Sequence, residues 1–358
     1  MLAGKGRIHE QQCGTHAMSD VKIRNMDEFA LVCWISRPTI SKYFNDPHSV
    51  RDTTRQKIET ALEKYDYRPN VFAMNQNRKL TKNVGIVVPY LADPFFAEIA
   101  RNMEQRCLDH GFQPTLYSAH GQQNLEVDIL DGLRSLKPAG VLLAPLGRDS
   151  DIGVVEKFCR DVPTVLFDSM VHGLDEAYVG SDNPQFARTI VEYLCQDGEP
   201  PCFFEMESPA NPNAVKRRNA YLEAMEHFGH QPQIVQATGE GWSFEEVGRQ
   251  GGLAALEADV FSTNTVLCSN DRLAIGFMSA CFEKGITIGR GSGAAIRVAG
   301  QDDHPFSKFT CPPLTTIAQD YKSISHHALD TLFRVIDGAK KPRKDKLFGG
   351  HLIERASA

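Results

Sequence analysis

From Asn83 onward, short apolar runs alternate with amphipathic stretches, and this alternation limits the fold more than any other feature of the chain. Val84–Pro89 precedes Pro94–His110, Pro114–Ser118 precedes Gln123–Leu136, Gly140–Leu146 precedes Ile152–Arg160, and Pro163–Phe167 follows. After Tyr178-Val179 the pattern resumes. Helical stretches Phe186–Cys195, Ala214–Phe228, Phe244–Leu256 and Arg272–Lys284 lead to apolar runs Cys202–Met206, Gln233–Gln236, Thr265–Cys268 and Arg297–Ala299. Continuous apolar strands separated by helices imply parallel sheets covered on both faces. There are too many strands for one sheet, so the reading is two doubly wound α/β lobes. Such sheets bind ligands at the carboxyl ends of their strands. Two facing lobes therefore enclose a cleft.

Ahead of this body lies a different texture. Residues 26–68 read as three short helices. Asn25 caps the first, with Met26, Phe29, Ala30 and Cys33 on one face. Ser36 starts the second, which turns Ile40, Tyr43 and Phe44 inward and stops at Asn45-Asp46-Pro47. The third carries Ile58, Ala61, Leu62 and Tyr65 at helical spacing. A small Ala30 at the crossing and apolar Ile35 and Ile40 fit a helix-turn-helix. That geometry puts Arg37, Pro38, Ser41 and Lys42 on the face that enters a major groove. Arg37 and Lys42 suit guanine O6 and N7, Ser41 a base or phosphate, and Pro38 a thymine methyl. Charge agrees in direction. Residues 18–80 hold 11 Lys+Arg and 8 Asp+Glu; subtracting these from totals of 39 and 45 leaves 28 against 37 elsewhere. A basic head on an acidic body is the distribution of a protein with one DNA-facing end.

The stretch Val21–Asn70, with SRPTISKYFNDP, VRDTTRQKIETALEKYDYRPN and the following VGIVVP, resembles the headpiece of the lac repressor (LacI/GalR) family. The resemblance runs over about residues 21–358. It implies residues 1–20 as a disordered tail, 21–69 as the DNA-binding headpiece, 70–82 as a hinge helix and linker, and 83–358 as a bilobed effector-binding and dimerisation domain. Lobe 1 would take about 83–181 and 321–348, and lobe 2 about 182–318 and 349–358. The resemblance further implies hinge contacts to DNA from Asn70, Gln76, Arg78 and Lys79. The chain departs from the family at two points. Trp34 stands at the turn position where the family usually has Gly, so either the turn differs or Trp34 packs on the surface. Gln76 stands where the family carries a leucine that wedges between base pairs, and an amide offsets unstacking less well.

In the family, effectors bind between the lobes, as in periplasmic sugar-binding proteins. The matching positions here are Phe95 and Phe96 after the first strand, Asp168 in LFD, Arg217, Trp242 in GEGWS, Asn270, Asp302, and Gln319 in PPLTTIAQD. Aromatic rings beside several carboxylates and amides suit a sugar or other polyol. Arg217 with Arg218 leaves room for an acidic sugar or sugar phosphate, and a nucleobase is the second choice. His326-His327 reads as structural.

Other classes fit less well. There is no GxxxxGK[ST], GxGxxG or GxSxG segment, so an enzyme is not expected, nor a cofactor. The nine cysteines form no CxxC pair and no cluster with metal-ligand spacing, which fits reduced thiols and no metal. No apolar run nears the roughly 20 residues of a membrane span. A bilobed solute-binding protein is the remaining alternative, against which stand the head and the lack of a signal peptide. The expectation is thus a cytoplasmic transcription regulator. Its partners would be operator DNA, a sugar-like effector and a second copy of itself. Only five residues follow Ile353, too few for a tetramerising coiled coil, so a homodimer is expected.

Overall fold

The computed structural model describes residues 23–69, 81–171, 173–174, 176–196, 198–209, 213–340 and 345–358. The expected tail, the hinge and the candidate contacts Asn70, Gln76, Arg78 and Lys79 lie outside the described residues. The chain divides into two compact units near Lys79.

The head consists of α1 (Met26–Cys33), α2 (Arg37–Asn45) and α3 (Asp52–Tyr65), with a single 3-10 turn at Pro47–Ser49. The start of α1 is doubly fastened. The Glu28 amide donates to Asn25 Oδ1 at 2.8 Å, and Glu28 Oε2 accepts from the Arg24 amide at 2.8 Å, a reciprocal cap for groups that lack helical partners. Phe29, Ile40 and Ile58, one from each helix, are fully buried against one another's elements. Tyr67 stacks on Phe29 at 4.5 Å and closes the cluster.

Trp34 ends α1 with φ 54° and ψ 39°, so the left-handed turn is kept although the residue is not glycine. Its side chain is 95% exposed, and packing therefore does not compensate the clash of Cβ with the backbone. Trp34→Gly is expected to stabilise the head by up to about 1 kcal/mol. Hydrogen exchange of the head amides in the full chain checks this; faster exchange in the variant would show that the indole holds the turn.

The body begins with a six-stranded parallel sheet in the order β11-β5-β4-β3-β1-β2. Its strands are β1 (Asn83–Val88), β2 (Gln113–Ser118), β3 (Gly140–Leu143), β4 (Thr164–Phe167), β5 (Tyr178–Ser181) and β11 (Lys346–Phe348). Helices α4 (Pro94–Asp109), α5 (Gln123–Leu136), α6 (Ile152–Asp161) and α11 (Tyr321–Ile336) cover it. A second parallel sheet, β7-β6-β8-β9, holds β6 (Cys202–Met206), β7 (Ile234–Ala237), β8 (Thr265–Cys268) and β9 (Arg297–Ala299). Around it lie α7 (Asn183–Gln196), α8 (Asn213–His227), α9 (Phe244–Glu257) and α10 (Asp271–Glu283). An antiparallel pair, β10 (Thr316–Ala318) with β12 (His351–Ile353), packs on α7. The chain passes between the two halves after β5, after β10 and after β11. Doubly wound lobes are therefore the architecture, as the alternation implies.

Several details differ from the sequence reading. Not every strand is covered on both faces. β2 is an outer strand, and Gln113, Thr115 and Leu116 face solvent. β3 ends at Leu143 rather than Leu146, because Pro145 cannot donate to a ladder and the chain turns into a 3-10 segment at Gly147–Asp149. α11 starts four residues before Ser325, where the Asp320 carboxylate accepts from the Ser323 amide at 2.9 Å. His327, on this helix, packs edge-on against Phe348 of β11.

Topology fixes where a ligand belongs. In the first sheet β1 lies between β2 and β3, and in the second β6 lies between β7 and β8. These are the points where strand order reverses, and the crevice opens at the carboxyl ends beside them. The segments after β1, β4, β6, β8 and β9 lie at these carboxyl ends.

Candidate functional site

On the head, α2 carries the expected recognition residues. Pro38 sits in its first turn, where the missing N–H costs nothing. Arg37, Pro38 and Lys42 are exposed and Ser41 is half-buried, while Ile40 and Tyr43 anchor the opposite face. Arg37 Nε meets Asp27 Oδ1 at 2.9 Å across the head surface. Both partners are well exposed, so the pair holds the guanidinium for at most about 1 kcal/mol and releases it easily to a base.

In the body, the strand ends of both lobes converge on one polar cluster. Arg217, one turn into α8, is its hub. Nε donates to Asn183 Oδ1 at 3.2 Å, Nη1 to the Ser269 carbonyl at 2.8 Å, and Nη2 to Asp302 Oδ1 at 2.5 Å. The same Asp302 oxygen accepts from Gln319 Nε2 at 2.6 Å, and Ser181 Oγ donates to Gln319 Oε1 at 2.5 Å. The Tyr321 hydroxyl donates to the Asp302 carbonyl. Asp302 itself has φ 140°, a conformation that side chains other than glycine avoid, held here by those bonds.

Two further contacts join strand ends of opposite sheets. Asp168, after β4, has φ 61° and accepts on Oδ1 from Asn213 Nδ2 of α8 at 2.8 Å. Asp93, after β1, uses one oxygen to cap α4 through the Phe95 amide at 3.0 Å. The other accepts from Arg272 Nη1 of α10 at 3.1 Å. Arg272 also clasps Glu245 with two bonds of 2.7 Å and donates to the Trp242 carbonyl at 2.9 Å. Above this pair, Trp242 stacks on Tyr90 at 5.2 Å with 16° between the planes. Gly121 makes room for the stack, since a Cβ there would stand 2.7 Å from the indole nitrogen.

Burial sets the electrostatics. The Asp168 carboxyl is pushed up to about 7 by burial, and the charges of Asp302 and Asp93 add to the shift while Lys216 and Arg217 oppose it. Burial also raises Asp93, against the pull of Arg272. Asp271 is raised by burial although Ser307 Oγ, Thr316 Oγ1 and the His304 amide all donate to it. Its place among these donors makes it a tie between α10 and the segment after β9.

The expected effector residues thus divide. Asp168, Arg217, Asp302, Gln319 and Trp242 meet in or beside the cluster. Phe95 lies at its edge, 5.5 Å from the Tyr321 ring. Phe96 is taken into the core of the first lobe, edge-on to Trp242. Asn270 caps α10, its Oδ1 accepting from the Leu273 amide at 2.8 Å. Sequence reasoning missed Tyr90, Gly121, Asn183, Asn213, Arg272 and Tyr321. Only the glycine at 121, whose φ is +71°, and the place of Tyr90 just after an apolar run leave a trace along the chain. The others matter through partners distant in the chain: Tyr321, Asn183 and Asn213 bond to residues 19, 34 and 45 positions away, and Arg272 to one 179 away. Among the described residues, no group of three His, Cys, Asp or Glu side chains is arranged to hold a metal, and no helix is long and apolar enough to cross a membrane.

Comparison with known proteins bears on both units. Residues 25–70 match the family model of bacterial regulatory proteins of the lacI family, and residues 193–358 match the periplasmic binding protein-like domain. The HTH-type transcriptional repressor CytR of Escherichia coli (strain K12) is 27% identical over 335 residues, covering 93% of this chain and 95% of that protein. The ribose operon repressor of the same strain is 24% identical over 334 residues, covering 93% and 99%. Among solved structures, the lac repressor dimer bound to operator and the anti-inducer ONPF aligns with a TM-score of 0.80 at 24% identity, over 94% of this chain and 99% of that one. That likeness speaks to the fold.

Proposed function

The chain belongs to the lacI family of bacterial regulatory proteins, and on that premise we propose that it is a cytoplasmic repressor of transcription whose operator affinity is set by a small, sugar-like effector held between the lobes of its body. The observation that carries the reading is the pair of polar contacts between strand ends of the two lobes, Asn213 to Asp168 and Arg272 to Asp93. A ligand entering there must exchange those bonds for its own, and so favours one lobe arrangement over another. The ribose operon repressor among the relatives supports a sugar. The Tyr90–Trp242 stack supports a second reading, a nucleobase-type effector, because aromatic rings at the cleft can stack on a flat ring, which would replace one partner of the present stack.

A homodimer follows from the operator geometry of such heads, which read two half-sites. Phe306 and Phe309 of the second lobe are 63% and 71% exposed, and such apolar surface suits burial against a second copy.

The reading is tested by selecting an operator from randomised DNA and measuring its affinity. Arg37→Ala is expected to weaken binding to that site by about 1–3 kcal/mol and to relax one base position. An equal loss on the selected site and on random DNA would reduce Arg37 to a phosphate contact.

A further inference from the structure

We propose that the effector is an aminated polyol of the amino-sugar class, whose ammonium group is received by the Asp168 carboxylate. The inference rests on the effector reading above and narrows it.

The argument is one of donors and acceptors. Every nitrogen of the Arg217 guanidinium is committed, to Asn183, Ser269 and Asp302. Those of Arg272 are committed to Glu245, Asp93 and Trp242. Lys216 approaches the Tyr178 hydroxyl at 3.4 Å and lies over the same ring. Each guanidinium nitrogen of both arginines already has a partner in the cluster, so an acidic sugar or sugar phosphate would have to share or displace those bonds. What the cluster leaves open is different. Asp168 Oδ2 is buried with no hydrogen-bond partner, and so is Trp242 Nε1. One is an acceptor on a carboxylate and the other a single N–H donor.

Charge points the same way. Asp93, Asp168, Asp271 and Asp302 act on one another within the cluster, against Arg217, Lys216 and an Arg272 already shared with Glu245. A neutral polyol would leave buried Asp168 with no cation on its second oxygen, and burial already holds that carboxyl up to about 7. An ammonium supplies N–H donors and the missing positive charge together, and charge-assisted bonds of this kind are the strong ones. Because Asp168 also accepts from Asn213 of the other lobe, the ammonium binds beside a joint between lobes.

The test uses the full chain and matched ligands: D-glucosamine, N-acetyl-D-glucosamine and D-glucose, with D-galactosamine and D-galactose, glucose 6-phosphate, ribose and adenosine alongside. Affinities come from thermal-shift titration. The amines are expected to bind at least about 10-fold more tightly than their hydroxyl and N-acetyl counterparts. Asp168→Asn keeps the Asn213 bond and tolerates the positive φ, but puts an N–H₂ or a neutral oxygen where the ammonium sits. It is expected to erase the preference while the unliganded protein still melts cooperatively. Hydroxyl counterparts binding as well as the amines, glucose 6-phosphate binding most tightly, or a preference that survives Asp168→Asn would each overturn the assignment. Binding of ribose or adenosine without any amine would overturn it too, yet leave the effector reading standing. If no compound binds or changes operator affinity, the effector reading falls with it.

Discussion

Replacing Arg217 by alanine is expected to destabilise the body by about 3–5 kcal/mol, the usual cost of leaving a buried ionic partner alone. The side chain is 5% exposed and its ion pair with Asp302 is 17% exposed on the acid side. Removing it strips partners from Asn183, the Ser269 carbonyl and Asp302 at once. Asp302 would then hold its strained backbone with Gln319, Tyr321 and its own amide's bond to the Ile317 carbonyl, without the guanidinium. From the sequence alone, Arg217 reads as a ligand contact. The geometry makes it a joint between α8, the end of β8 and the segment after β9. Arg217→Lys keeps the charge but not the three-way fork, and is expected to recover only part of the loss. Urea unfolding of the three proteins measures this. A variant within about 1 kcal/mol of the parent would show a side chain dispensable to the fold and free for a ligand.

Asp168→Asn is expected to do the reverse and stabilise the unliganded body, by an amount that depends on pH. Burial moves the folded carboxyl from 3.8 up to about 7. Below the lower value both folded and unfolded chains hold the proton, and the charge costs nothing. Between the two values the unfolded chain has released its proton while the folded one keeps it, so stability falls as pH rises. Above about 7 the whole cost is present. An asparagine has no charge to desolvate and escapes this loss. The difference between variant and parent is therefore expected to be small near pH 4 and to reach the order of a few kcal/mol by about pH 8. Melting at both pH values checks it. A variant less stable than the parent at the higher pH would mean that Lys216 and Arg217 over-compensate the burial of the charge.

Local signals explain what could be read in advance. The strands β6, β8 and β9 stand out because each is a short apolar run between longer amphipathic stretches. The helix-turn-helix stands out because Phe29, Ala30 and Ile40 fall at its crossing. By contrast β10, β11 and β12 are as short as β9, three residues each and too few to show a period of two, and they lack its place in the regular alternation of helix and strand. Asp168 and Asp302 can be placed at strand ends from the chain alone, since an apolar run simply stops at an acid. Arg272 and Asn213 cannot, because nothing near them in sequence says that Asp93 and Asp168 of the other lobe lie opposite. Trp34 shows the limit from the other side: the expectation of a changed turn or a packed indole met neither, and the chain carries the strain on an exposed residue.

The central claim is that one protein couples operator DNA to a small molecule between its lobes. The most direct measurement is the affinity of the full chain for its selected operator, with and without a saturating concentration of the tightest ligand from the thermal-shift panel. The account expects a change of about 5- to 150-fold, the span of typical coupling free energies. The same ligand must then change its own affinity by that factor when operator is present, because coupling is reciprocal. An operator affinity unchanged by a ligand that demonstrably binds the body would contradict the account.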